Sequence, residues 1–287
     1  MHDFENALLF KCIVEEGSLT KAATKFQLNA SAVSKRLNKL ESSLGTQLIK
    51  RTTRQLLLTE AGECFYEKVV RLQHDWQTAI DETSYYGNNI QGTLIIAAPQ
   101  PLASRFLMPV IAQFSQQYPA IKINIHHQQI EHLPCLSADI SISRELDHYD
   151  SQSMRVRPFF RYHNSLFASP AYLEKHDKLE QLEDLPAHRC ICYPNTSTWH
   201  FAQHSIELEN SFTMNNAEIM ISAAAQGLGI AYLPAVIIRK ELQSGALVPV
   251  LDSYQSKPFN TCIYYMQADF MPQKIRAFID FLCASYA

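Results

Sequence analysis

No apolar stretch in the 287 residues reaches the length that crosses a membrane. The opening segment, MHDFENALLFKCIVEEGS, has no basic region and places Glu5, Lys11, Glu15 and Glu16 among its apolar residues, so it does not read as a signal peptide. Together these absences set a cytoplasmic expectation. The seven cysteines are odd in number and include no CxxC pair; reduced, mostly buried thiols are expected. Arg189 beside Cys190 is a single charge, too little to argue for a thiolate sensor. His126 and His127 point to opposite faces of a strand and His132 finds no obvious third ligand, so neither a metal nor a cofactor is expected. There is no GxSxG elbow and no Walker sequence, and Gly227-Leu228-Gly229 is too short for a dinucleotide fingerprint and follows a helix rather than a strand. Ser and His occur together in Tyr162-His163-Asn164-Ser165 without an acid at a known spacing. An enzyme is therefore not expected.

What the chain does carry is a local charge imbalance. Eight Lys or Arg lie between Lys21 and Arg54 against one acid, Glu41, a local +7 in a chain of net charge −3. Such a patch suits a surface that meets phosphates. Ser18 is placed to cap a helix to about Phe26, with Leu19, Ala22, Ala23 and Phe26 on one face. After a turn at Gln27-Leu28, Asn29 is placed to cap a second helix from Ala30 to Leu44. Ala32, Val33, Leu37, Leu40 and Leu44 are expected inward, leaving Ser31, Ser34, Lys35, Asn38 and Lys39 outward. Small polar and basic side chains near the start of a second helix are what a major-groove reader needs. A solvated basic face explains the helix pair equally well. The next segment separates the two readings: Gly45 ends the helix, and two short strands, Gln47 to Lys50 and Leu56 to Leu58, flank Arg51-Thr52-Thr53-Arg54. A basic hairpin beside a helix-turn-helix is a wing, whose Arg51 and Arg54 can reach phosphates or the minor groove. Thr59 is placed to cap a long helix.

Ala61, Phe65, Val69, Leu72, Trp76, Ile80 and Thr83 recur at steps of three and four along that helix. This seam suits pairing with another helix or packing on the chain's own body. Asn88 to Gly92 reads as a hinge. Beyond it strands and helices alternate: strands at 93–98, 121–127, 138–142, 166–168 and 230–233, helices at 102–117, 218–225 and 274–286. That alternation implies a mostly parallel sheet, which binds ligands at the carboxyl ends of its strands. Ser143 and Arg144, the polar 195–200 loop with Thr198 and Trp199, and Asn216 sit at such ends. Arg144 would serve an anionic ligand or pair with Glu145 or Asp147; Trp199 would serve as a platform or as packing. The eleven histidines make a pH response through His200 or His204 conceivable, with solvent exposure as the simpler expectation.

Glu16-Gly17-Ser18, Ala22-Ala23, Ser31-Ala32-Val33-Ser34, Leu40-Glu41, Leu44-Gly45, Arg51-Thr52 and Leu58-Thr59-Glu60-Ala61-Gly62 stand in the order and spacing of LysR-type transcriptional regulators, which the first ninety residues closely resemble. The later segments Gly92-Thr93-Leu94, Ala168-Ser169-Pro170-Ala171-Tyr172-Leu173, Gly227-Leu228-Gly229-Ile230 and Leu233-Pro234 resemble the family less specifically. The resemblance implies a winged helix-turn-helix, rich in α-helix, over 1–59, and a linker and dimerisation helix over 60–88. It implies a two-lobed α/β regulatory domain similar to periplasmic binding proteins over 89–287, with lobe I at about 90–160 and 266–287 and lobe II at about 161–265. It implies sequence-specific transcription regulation, with double-stranded DNA, a small-molecule effector and a homodimer or homotetramer as partners, and contact with RNA polymerase as a further possibility.

Carried over, the DNA-contacting set is Ala30, Ser31, Ser34, Lys35, Arg36 and Arg54, beside the outward Lys39 and the wing's Arg51. Many members have Gln-Pro where this chain has Ala30-Ser31, so one amide able to reach a base edge is absent. The family's effector contacts come from the loop after the first strand of the domain, here Gln100, Pro101, Leu102 and Ser104. Pro101 stands where many relatives have Ser or Thr and offers neither N–H nor hydroxyl. An effector less dependent on a carboxylate is expected. Two rivals remain, an enzyme, which leaves the basic wing unexplained, and an architectural DNA-binding protein, which leaves some 195 residues beyond the linker without a task.

Overall fold

The computed structural model describes residues 2–51, 56–84, 90–129, 133–146, 153–208, 211–267 and 271–286. The chain divides into two compact units, residues 1–92 with 268–273, and 93–267 with 274–287.

The first unit is built on helix α1 (His2–Glu16), which the sequence pattern did not reveal. Apolar residues run almost unbroken from Ala7 to Val14, so no one-sided stripe marks a helix. It buries Leu9, Phe10 and Ile13 in a shared core with Ala22 and Ala23 of α2 (Leu19–Lys25) and Val33, Leu37 and Leu40 of α3 (Ala30–Leu44). The expected caps form: Ser18 Oγ accepts from Lys21 N (3.4 Å), and Asn29 Oδ1 accepts from Ala32 N (2.7 Å). Gly45 ends α3 at φ 68°, in the left-handed region that glycine adopts without strain. Leu44 departs from expectation: it is the last residue of α3 and is exposed.

Strands β1 (Ile49–Arg51) and β2 (Leu56–Leu58) pair antiparallel. Helix α4 (Glu60–Ser84) follows, and Thr59 Oγ1 accepts from Gly62 N (2.9 Å) as its cap. A Cβ on Gly62 would come within 2.1 Å of the Leu48 carbonyl oxygen, so only glycine fits where α4 crosses the wing. The α4 seam changes character along its length. Val69 and Val70 are buried, while Leu72, Trp76 and Ile80 are 52%, 60% and 46% exposed. The side chain of Thr83 and the expected hinge at 88–89 lie outside the described residues.

The second unit contains two five-stranded sheets. The first has the order β4-β3-β5-β14-β6, from β3 (Gly92–Ala98), β4 (Ile121–His127), β5 (Ile140–Arg144), β6 (Met154–Tyr162) and β14 (Phe259–Met266). The second has the order β11-β8-β12-β7-β13, from β7 (Asn164–Ala168), β8 (Cys190–Cys192), β11 (Ser211–Thr213), β12 (Ile230–Pro234) and β13 (Val248–Val250). Both sheets are mixed rather than mostly parallel. β14 runs antiparallel to β5 and β6, and β7 runs antiparallel to β12 and β13. The reason is connectivity: each strand next to a crossing between the sheets enters beside one running the other way. The crossings fall at His163 and between Val250 and Phe259. Arg161, Tyr162 and Phe259–Tyr265, expected in lobe II, therefore pair within the first sheet. The segment 195–200, expected as a loop, contains β9 (Thr198–His200), which pairs with β10 (Ser205–Glu207).

A π-helical segment, Leu102–Leu107, leads into α5 (Met108–Gln117), and Met108 N reaches back five residues to Ala103 O. Pro109 accounts for the wider turn: it has no N–H for the Arg105 carbonyl and its ring crowds that oxygen. Helix α9 (Gln273–Ala284) carries the buried Lys274, whose Nζ donates to Thr93 O (2.6 Å) and pairs with Asp139 at 3.7 Å. Helices α6 (Pro170–Leu173), α7 (Ala217–Ala225) and α8 (Arg239–Ser244) belong to the second sheet's lobe.

Candidate nucleic-acid interface and ligand cavity

The outward face of α3 is set by its burial pattern. With Val33, Leu37 and Leu40 committed to the core, Ser31, Lys35, Asn38 and Lys39 are exposed and Ser34 is half-buried beside them. Arg36 is also half-buried, a step of about 100° round the helix from Lys35, and stands on the flank of this face. Ala30 is exposed at the first turn, where no long side chain screens the helix from a duplex. In the wing, Lys50 is exposed and Arg51 pairs with Leu56, while the side chain of Arg51 and all of Arg54 lie outside the described residues.

The single acid of the basic stretch is not on that face as a free charge. Glu41 Oε1 accepts from Leu48 N (2.8 Å) and Ile49 N (3.1 Å), joining α3 to the first wing strand. Leu48 O accepts from Thr59 N (3.0 Å), and Thr59 Oγ1 donates to Gln47 O (2.7 Å). Lys25 at the other end of the stretch pairs with Glu16. Among the described residues Lys35, Arg36 and Lys39 of α3 and Lys50 of the wing make no ion pair.

In the second unit a cavity of about 380 Å³ opens between the two sheets. Its wall is aromatic: Phe160, Tyr162, Tyr193, Tyr232 and Phe259, with Tyr162 and Phe259 stacked at 5.4 Å. Burial pushes the phenols of Tyr162 and Tyr193 up, with Arg144 pulling Tyr162 partly back, and pushes Tyr232 up to about 12. The three hydroxyls therefore stay protonated at neutral pH; that of Tyr232 donates to His200 O (2.8 Å). Arg144 is the cation of the lining and makes no ion pair among the described residues. The pairings considered for it do not occur there: Glu145 is held by Asn260 Nδ2 (2.5 Å), and Asp147 lies outside the described residues.

Of the nine residues expected to contact an effector, Pro101, Leu102 and Arg144 line this cavity. The others are spent on structure. Ser143 is fully buried and its hydroxyl donates to Arg144 O. Trp199 is buried against Phe201 and Tyr232 in the core, and Thr198 sits half-buried on β9 beside it. Gln100 Oε1 accepts from Asn216 Nδ2 (2.6 Å), and Asn216 Oδ1 also caps α7 by accepting from Glu218 N. Ser104 Oγ donates to Glu218 Oε1 (2.7 Å). These last contacts belong to a clasp between the lobes. Arg105 reaches Glu218 through Nε (2.7 Å) and Nη2 (2.6 Å), Glu241 through Nη1 (2.8 Å), and the carbonyl of Ile237 (3.2 Å). Ile237 and Ala217, which adjoin the clasp, line the cavity. The aromatic wall and the clasp escaped the sequence reading because their members lie up to some 136 positions apart; no local spacing signals such a meeting.

The model of the LysR substrate binding domain matches residues 87–286, and that of the bacterial regulatory helix-turn-helix protein, lysR family, matches residues 4–63. The chain belongs to the LysR family of transcriptional regulators. It is similar to the HTH-type transcriptional regulator CrgA of Neisseria meningitidis serogroup B, with 29% identity over 97% of this chain and 95% of CrgA. The HTH-type transcriptional activator AaeR of Escherichia coli is 27% identical over 98% of this chain and 93% of its own. Among solved structures, the full-length Vibrio cholerae virulence activator AphB superposes with a TM-score of 0.65 at 29% identity, covering 98% of each chain. As a LysR-type regulator the chain combines a DNA-binding winged helix-turn-helix with an effector-binding α/β domain. Among the described residues no helix is long and apolar enough to cross a membrane.

Proposed function

We propose that this LysR-type regulator acts as a cytoplasmic homo-oligomer, a dimer or a tetramer, that reads its operator through the exposed face of α3 and is switched by an uncharged or weakly polar aromatic effector. The observation that carries the reading is that face: hydroxyl, amide and ammonium groups project from one side of a helix whose other side is fixed in a core. Ser31 and Ser34 are assigned to base edges, Lys35, Lys39 and Arg36 to bases and phosphates, and Arg51 and Arg54 to the backbone beside the wing. The exposed Leu72, Trp76 and Ile80 on α4 support self-association, since an apolar stripe on a long helix suits a helical partner. Two α3 helices on one duplex match a near-palindromic site. The chain acts by binding rather than by catalysis, and RNA polymerase is a partner consistent with that role.

The cavity supports the effector class. A wall of five rings favours a flat apolar body. The loop entering the helix at Leu102 has proline at 99 and 101, so two N–H groups that would cradle a carboxylate at a helix start are absent. Arg144 and the phenols of Tyr162 and Tyr193 supply donors for one acceptor group. Occupancy would shift the lobes and through them the spacing of the DNA readers.

The test is a pair of measurements on the full-length chain. Selection from a random duplex pool should return a defined site for the wild type, with Ser31→Ala and Ser34→Ala each reducing discrimination more than overall affinity. Thermal shift against paired aromatic acids and their neutral amides or esters should favour the neutral member, and Arg144→Ala should reduce both responses. No enriched site, or a response confined to the acids, contradicts the reading.

A further inference from the structure

We propose that Glu41 is a positioning residue for DNA binding: its carboxylate fixes where the wing stands relative to the reader helix. The inference rests on the reading that α3 and the wing meet DNA together. Glu41 is the one acid among the cations between Lys21 and Arg54. A carboxylate there repels phosphate, so by charge alone its removal should tighten binding. The geometry gives it a different task. One oxygen accepts from two consecutive backbone N–H groups, Leu48 at 2.8 Å and Ile49 at 3.1 Å, where the chain turns into β1. Charge-assisted bonds of this kind are the stronger class, and the two N–H groups would otherwise be left half-buried without partners.

Leu48 is held from both sides. Its N–H is tied to α3 by Glu41, its carbonyl to the start of α4 by Thr59 N (3.0 Å), and its side chain is buried in the core. Lys50 and Arg51 follow within three residues, so the path of β1 is set at this node. Without Glu41 the strand keeps its tie to Thr59 and loses its tie to α3. Cations on the helix and on the wing would then no longer be presented at a fixed separation to one stretch of phosphates.

The experiment measures binding of full-length protein to a mixed-sequence oligonucleotide duplex across a salt series, with melting temperature and far-UV circular dichroism on each variant. Glu41→Asp keeps the charge and shortens the arm; it should bind about tenfold more weakly with a salt slope reduced by about one. Glu41→Ala should do the same although it removes a repelling charge. Glu41→Gln keeps an oxygen acceptor at the same reach and should retain the wild-type slope. In the Glu41→Ala background, Lys50→Ala should cost less than it does in the wild type. Glu41→Ala binding as tightly as wild type or more tightly, with an unchanged slope, would overturn the proposal. Where Glu41→Ala does not fold, Glu41→Asp decides: wild-type affinity and slope in that variant overturn it equally. Failure of the wild type itself to bind duplex would instead remove the underlying reading.

Discussion

Arg105 Nε and Nη2 converge on one carboxylate oxygen of Glu218, Oε2, at 2.7 and 2.6 Å, joining the helix after β3 to the start of α7 across the two lobes of the regulatory unit. Hydrogen bonding to Glu218 raises the guanidinium pKa, and the pair is only about one-fifth exposed. Burial pushes the Glu218 carboxyl up, but hydrogen bonds from Arg105 and Ser104 outweigh it and hold the group below its usual value of 4.5. A carboxyl depressed in this way stabilises the fold at pH above 4.5 and loses that contribution as pH falls through its folded value. Glu218→Gln should therefore cost about 1–3 kcal/mol near neutrality. The cost should shrink as the pH falls below 4.5 and through the folded value, as read from urea unfolding of the regulatory unit at several pH values. A constant cost across that range would show that the charge is not what joins the lobes.

Lys274 and Asp139 give a second prediction. The ammonium is buried, donates to Thr93 O, and has Asp139 at 3.7 Å, while Asp139 Oδ2 accepts from Ile95 N (2.7 Å). Asp139→Ala removes a counter-charge beside the buried Lys274 and an acceptor for Ile95 N, and should destabilise the unit by about 3–5 kcal/mol. The double variant with Lys274→Met should recover a large part of that loss. Denaturant midpoints of the three variants check it; no recovery in the double variant would mean that Asp139 acts mainly through the Ile95 N–H.

The exposed stripe on α4 predicts assembly. Trp76 is 60% exposed and touches Phe4 edge-on at 6.4 Å between ring centroids. Trp76→Glu together with Leu72→Glu should lower the association state seen by sedimentation velocity, with little change in melting of the isolated winged fold. An unchanged sedimentation coefficient would place the assembly contact elsewhere.

How far the sequence carried depends on how local each signal is. Caps and turns were readable: Ser18, Asn29, Gly45 and Thr59 each act within three or four residues of their partners. The exposed face of α3 followed from helical period alone. Helix α1 was missed because a continuous apolar run has no period. The sheets were read as mostly parallel because alternation of strands and helices cannot show which strands cross between lobes. The cavity was read only in part, since Pro101, Leu102 and Arg144 lie at strand ends where ligand contacts are expected. Ser143, Trp199 and Asn216 lie at or near such ends too, yet they turn inward to pack or to cap. Phe160, Tyr162, Tyr193, Tyr232 and Phe259 read locally as ordinary strand residues, and only the fold gathers them into a wall.

The grip of α3 on DNA is read most directly from the salt dependence of duplex binding by the wild type and Lys35→Ala. Log affinity should fall linearly with log salt for the wild type, with a slope of about −0.9 per phosphate engaged. Lys35→Ala should make that slope shallower by about one unit and weaken binding to every sequence. Absence of salt-sensitive binding to any duplex, or a Lys35→Ala slope identical to wild type, would contradict the claim that the basic face of α3 grips DNA.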